Sequence, residues 1–213
     1  MSRRNPTKRD LQAAETRKKI FDTAFQLITE KGFENVTVEE IARQSGVAKG
    51  LFYHYFSSKD DIVIETYMII DNSFSAFYEL NAPRCNAIEK IYLANVFQAR
   101  HGTELGVDFV SQIYKSQIYA GTAYFISKER PFYTILLEAV RMAQEEGSIR
   151  RDISADMLAK IMLSCGRGVI YDWCLHNGNF DLEQQMNLQF NLIIQGVHEP
   201  RSDRSILVRP DFI

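Results

Sequence analysis

The sequence predicts an all-α fold, and three observations carry that reading. Apolar residues recur at the three-to-four-residue spacing of one helix face along most of the chain. Glycines such as Gly32, Gly46, Gly102, Gly147, Gly178 and Gly196 fall where these periodic segments stop, and between Thr7 and Glu199 only Pro83 and Pro131 interrupt the chain. There is no strict apolar–polar alternation in β-branched residues, and no Asn-Gly or Asp-Gly turn set between such runs.

The elements follow in order. Ile20, Phe21, Ala24, Phe25, Leu27 and Ile28 predict a helix over 15–31. Thr37-Val38-Glu39-Glu40 reads as a capping box, in which the threonine hydroxyl accepts from the Glu40 amide and Glu40 reaches back. The helix it opens runs to about Gln44 and stops at Gly46. A short helix over 49–56 follows. Another opens at Ser58, with Asp60 and Asp61 in the first turn where the helix dipole favours anions, and continues to Leu80. Further helices are expected at 86–101, 105–118, 131–146, 154–177 and 181–196; the stretch 119–130 is left unassigned. Residues 199–213, with two prolines and mixed charge, read as a tail.

Composition excludes several classes. With 46% hydrophobic and 24% charged residues and a net charge of −2, the 213-residue chain is too apolar and too balanced to be disordered. No uncharged apolar run reaches the eighteen residues a membrane helix needs, so no membrane partner is expected. The polar, basic stretch Met1–Asp10 lacks the apolar segment of a secretory signal. Cys85, Cys165 and Cys174 are odd in number and have no paired spacing, which suits a reducing cytoplasm. His54, His101, His176 and His198 are scattered, and no nucleophile–base constellation is visible; no enzyme activity, metal or cofactor is expected.

One segment carries specific chemistry. In Thr37–Phe56 two short helices flank Gln44–Ala48, Gly46 can take the left-handed conformation that ends the first helix, and Val38, Ile41 and Ala42 can pack on Val47, on Leu51 or Phe52, and on Phe56. That is a helix-turn-helix pattern. From Ile41 to Lys59 there is no acidic residue, while Arg43, Lys49, His54 and Lys59 are present with Tyr53 and Tyr55. A helix that approaches phosphates sheds carboxylates and presents donors. Residues at the start of the second helix reach base edges in the major groove. Here they are Ala48, Lys49, Gly50 and Leu51, with Tyr53 and His54 one turn on; Lys49 can read guanine O6 and N7. The amides behind Thr37 can hold a phosphate. Spacing and charge alone fit a packed helix pair that touches no DNA equally well.

Residues 16–62 closely resemble the DNA-binding domain of the tetracycline-repressor (TetR) family. The matching run is Phe33, Thr37-Val38, Ile41-Ala42, Gly46-Val47-Ala48-Lys49-Gly50, Tyr53-His54-Tyr55-Phe56 and Lys59. The resemblance implies a helix-turn-helix head over 1–59, a ligand-binding and dimerisation body over 60–198, and a linking helix between them. It implies that Thr37 caps the helix beside the DNA backbone, that Ala48, Lys49, Gly50 and Leu51 open the recognition helix, that Tyr53, His54 and Tyr55 divide phosphate and base contacts, and that Lys59 contacts phosphate. Lys18 and Lys19 are further phosphate candidates; Arg3 to Arg9 read as a solvated tail.

More than half of the 25 aromatic residues lie between Tyr67 and Tyr133. Aromatic residues at helical spacing line a core or a ligand pocket. The family places its ligand in this region, which favours a pocket for a small apolar or aromatic effector. Phe74, Tyr78, Phe97, His101, Phe109 and Tyr114 are the selected lining residues. The last two helices carry an apolar stripe of Leu158, Ile161, Met162, Cys165, Val169 and Trp173, then Met186, Phe190, Ile193 and Ile194. The stripe alone fits an interior core; in the family such a pair meets its copy in a four-helix dimer interface. The expected protein is a homodimeric repressor released from a palindromic double-stranded operator by its ligand, the alternative being an activator or a regulator without an effector.

Overall fold

The computed structural model describes residues 7–119 and 123–198, so Arg3, Arg4 and the tail 199–213 lie outside the described residues. Eight α-helices and no strand are found among the described residues: α1 Lys8–Lys31, α2 Val38–Ser45, α3 Lys49–Tyr55, α4 Lys59–Asn81, α5 Ala87–Tyr119, α6 Pro131–Glu145, α7 Ala155–Leu175 and α8 Leu182–Val197. None of them is long and apolar enough to cross a membrane.

Capping chemistry explains two departures from expectation. Helix α1 begins at Lys8, well before the apolar stripe, so Lys8 and Arg9 form its first turn rather than a tail. Thr7 closes a reciprocal box there: its hydroxyl accepts from the Asp10 amide at 3.3 Å and its own amide donates to the Asp10 carboxylate at 2.9 Å. The first turns of α1 are exposed and polar, so periodicity gives no sign of them. At Thr37 only half of the expected box forms. The hydroxyl accepts from the Glu40 amide at 3.1 Å, but the Glu40 carboxylate turns to Lys31 at 2.5 Å.

The two helices expected over 86–101 and 105–118 run together as α5, broken by a non-helical backbone at Gly106 (φ 77°, ψ 162°). Helix α5 is central: it packs against α4, α6, α7 and α8 and also touches α1. One core gathers Phe74, Ile91, Phe97, Phe132, Leu136, Leu158 and Met162. A second joins Ile20, Ala24, Leu27 and Ile28 of α1 to Ile41, Phe52 and Phe56, and is completed by Ile62 and Val63 of α4 and Phe109 and Ile113 of α5. A third surrounds Trp173, Val169 and Met186. The second core therefore extends past residue 59, and head and body share it.

Candidate nucleic-acid interface and effector chamber

The turn between α2 and α3 is built by backbone hydrogen bonds. Gly46 sits in the left-handed region (φ 68°, ψ 31°), and its amide donates to the Ala42 and Arg43 carbonyls. A side chain at this φ would strain the turn. The Val47 amide also donates to the Ala42 carbonyl, at 2.9 Å. Ser45, fully buried, donates its hydroxyl to the Ile41 carbonyl at 2.7 Å, so the turn carries no orphaned polar atom there.

Helix α3 is fixed from below by Phe52 and Phe56, both buried. What remains in solvent is Ala48, Lys49, Gly50, Leu51, Tyr53 and His54, with Thr37 and Arg43 exposed beside them. Tyr53 is half exposed, an unusual position for a large ring. Space around Gly50 is open, so backbone can approach a flat partner there. Tyr55 is half-buried against the head core, with its ring 4.9 Å from that of His54. Lys49 forms an exposed ion pair with Glu39, a carboxylate outside the acid-free window in sequence but beside it in space. This neighbour holds Glu39 below its ordinary range. Lys59 donates to the Phe33 and Val36 carbonyls at 2.7 and 2.5 Å, and its ammonium lies 4.2 Å above the Phe33 ring. An ammonium has three donors. Two of them staple α4 to the turn that precedes α2.

The body contains a chamber with a cavity volume of about 70 Å³ between α4, α5, the start of α6 and α7. That is below the about 300–1,000 Å³ of small-molecule pockets, so a ligand of that size enters only if the walls move apart. Of the six selected residues, Phe97, His101 and Tyr114 line it. The other three do not. Phe74 is a core residue packed on Phe132 with ring centroids 4.4 Å apart, and Tyr78 packs on Phe74. Phe109 turns the other way, into the head core, with its ring edge 5.6 Å from Phe25. Phe109 lies on the same helix as Phe97 and Tyr114, and spacing does not say which side of α5 meets the head.

The chamber is also more polar than composition suggested. Asp71 and Arg130, with side chains 1% and 3% exposed, meet at 2.5 Å on its wall. Tyr67 accepts from Arg130 at 2.6 Å, and Tyr124 donates to Asp71 at 3.1 Å. Burial pushes the Tyr67 phenol up to about 12. Arg167 and Gln98 also line the space, and the Tyr114 hydroxyl donates to the Arg167 carbonyl at 2.9 Å. These groups satisfy one another on the wall. The missed signal was Asp71, a carboxylate on the same helix face as Tyr67 and Phe74, which in an interior demands a cation.

The dimer stripe needs correction. Leu158, Met162, Val169, Trp173, Met186 and Phe190 are buried inside the single chain. Cys165, Ile193 and Ile194 are half-buried. Only Ile161 of that stripe is exposed, and it lies on a second apolar face with Met157, Tyr171 and Leu175 of α7 and Leu188 and Leu192 of α8. The interior stripe was the stronger periodic signal because a core demands more apolar residues than a seam.

Residues 20–66 match the model of the bacterial regulatory proteins of the tetR family. The chain is 24% identical over 185 residues to the fatty acid metabolism regulator protein of Bacillus subtilis, covering 84% of this chain and 94% of that protein. It is 22% identical over 190 residues to the transcriptional repressor DhaR of a Mycobacterium species, covering 84% and 92%. Among solved structures, the FadR transcriptional repressor of Thermus thermophilus in complex with lauroyl-CoA superposes with a TM-score of 0.70 at 18% identity, over 88% of this chain and 99% of that one.

Proposed function

We propose, for a chain that belongs to the TetR family of bacterial regulatory proteins, a dimeric transcriptional repressor released from its operator by a fatty-acyl effector. One observation carries the reading: the part of α5 after Gly106 faces both sites. Phe109 and Ile113 complete the core of the head, while Val110, Ile113 and Tyr114 line the chamber. Ile113 belongs to both. Gln112 and Ser116 of the same segment donate to the Asp60 carboxylate at 2.9 and 2.6 Å, at the first turn of α4 next to Lys59. A ligand that shifts this segment shifts the head with it.

On the DNA side, Lys49, Tyr53 and His54 contact bases and phosphates from the major groove, Thr37, Tyr55 and Lys59 hold the backbone, and Ala48, Gly50 and Leu51 allow close approach. The fatty-acyl class is carried over from the relatives' own descriptions. The chamber supports it: Phe97, Leu105, Val110, Leu163 and Ile170 offer apolar walls to an acyl chain. The exposed face of Met157, Ile161, Leu175, Leu188 and Leu192 is the dimer seam, which sets two heads about one DNA turn apart. The site of action is the cytoplasm, where DNA and acyl metabolites meet.

The test is binding of the full chain to DNA from upstream of its own gene. Binding weakens steeply with salt, and Leu192→Arg yields a monomer by sedimentation with much weaker binding. Absence of any shift across that upstream region overturns the reading.

A further inference from the structure

Helix α4 is fastened to the head at two points. At its first residue, Lys59 donates to the Phe33 and Val36 carbonyls. About two turns further along, Glu65 meets Arg17 of α1, which grips the carboxylate with both ends of its guanidinium. Nη1 donates to Oε1 at 2.7 Å and Nη2 to Oε2 at 2.5 Å. The same guanidinium lies 4.7 Å from the centroid of the Phe56 ring, and Phe56 caps the C-terminal end of α3. Phe56 is buried and packs on Phe52, the buried foot of α3. One arginine of α1 therefore touches both α4 and the end of α3.

We infer that Arg17 is a positioning residue for operator recognition: its fork to Glu65 and its face on Phe56 set the tilt of α3 against α4. The inference rests on the repressor reading above and adds what aims the helix that reads the operator. Near these fastenings the head and α4 share Ile62 and Val63 in an apolar core. Apolar burial is non-directional, so it holds the two together without fixing an angle. A single polar fastening is a pivot, and a second one that is bidentate and planar fixes the axis. Helix α3 has seven residues, so Lys49 lies about 10 Å from the Phe56 end, and a tilt of about 10° carries it about 2 Å. A base-edge hydrogen bond does not survive a displacement of that size.

Such alignment matters for reading sequence and little for holding phosphate. Exposed lysines follow the DNA backbone by changing rotamer, whereas base edges demand a fixed geometry. Loss of the fork therefore separates specific from non-specific affinity. Glu65 makes the sign decisive. Removing a carboxylate strengthens DNA binding on charge alone, whereas losing the fork weakens it.

Two variants open the fork from opposite sides: Arg17→Lys keeps the charge without the fork, and Glu65→Gln removes the accepting charge. Each is measured in the full chain by fluorescence anisotropy, on an upstream fragment that wild type binds and on unrelated DNA of the same length, over a salt series. Thermal melting checks the fold. Each variant melts cooperatively, binds the upstream fragment about tenfold more weakly, and keeps the wild-type affinity and salt slope on unrelated DNA. Wild-type affinity for the upstream fragment in a folded variant, tighter binding by Glu65→Gln, or an equal loss on both DNAs overturns the inference and leaves the repressor reading standing. Loss of cooperative melting does the same, because it makes the pair scaffold alone. Failure of wild type to bind any upstream fragment overturns both.

Discussion

In the head, Lys49 meets Glu39 with both side chains largely in solvent. In the body, Arg130 meets Asp71 with almost none of either exposed, and two tyrosines complete the cluster. The difference separates a surface that exchanges partners from one that does not. An exposed pair is worth about 0–1 kcal/mol, so a phosphate or a base edge can take the lysine at little cost. A buried pair is costly to form and far more costly to break, because removing one partner strands the other. Charge at the proposed DNA surface is therefore labile, and charge on the chamber wall is part of the scaffold.

The largest effect expected from that contrast is in the chamber. Asp71→Ala leaves Arg130 buried without its carboxylate and costs about 3–5 kcal/mol of stability. Urea denaturation reads this, and a loss below about 1 kcal/mol would place the pair in solvent. Lys49→Ala, by contrast, keeps the fold and weakens operator binding by about 1–3 kcal/mol, with relaxed preference at one base pair. Unchanged affinity and preference in a DNA-binding titration would remove Lys49 from the reading surface.

Lys59 stands between the two kinds of charge. Its two carbonyl partners make it scaffold, and its third donor is what it can give to phosphate. Lys59→Ala lowers the melting temperature and lowers the slope of log affinity against log salt by about one. A lower melting temperature with an unchanged slope would leave it scaffold alone. The smallest effect is at Glu39. Glu39→Ala leaves the melting temperature essentially unchanged and strengthens DNA binding slightly, since a carboxylate leaves the surface. Weaker DNA binding in that variant would show that Glu39 positions Lys49.

These regions also differ in how far the sequence reveals them. The head was legible because its information is local: Thr37, Gly46, Phe52, Phe56 and the acid-free window lie within one short segment, and turn chemistry fixes their arrangement. The chamber was legible only in part, because α5 packs against α4, α6, α7 and α8 and touches α1, and helical spacing does not distinguish them. Phe97 and Tyr114 face the chamber, Phe109 faces α1, and all three are aromatic residues on one helix. Arg130 lies 59 residues from Asp71, so only the demand of a buried carboxylate for a cation pointed to it. The exposed apolar face of α7 and α8 was hidden by a stronger interior stripe on the same helices.

Coupling between chamber and head is tested most directly by fluorescence anisotropy of a labelled upstream DNA fragment bound to the protein and titrated with lauroyl-CoA. Saturation lowers the DNA affinity about 5–150-fold, the range of allosteric coupling free energies of about 1–3 kcal/mol. A DNA affinity that stays constant while lauroyl-CoA occupies the protein, as read by calorimetry, contradicts control of the head by the chamber.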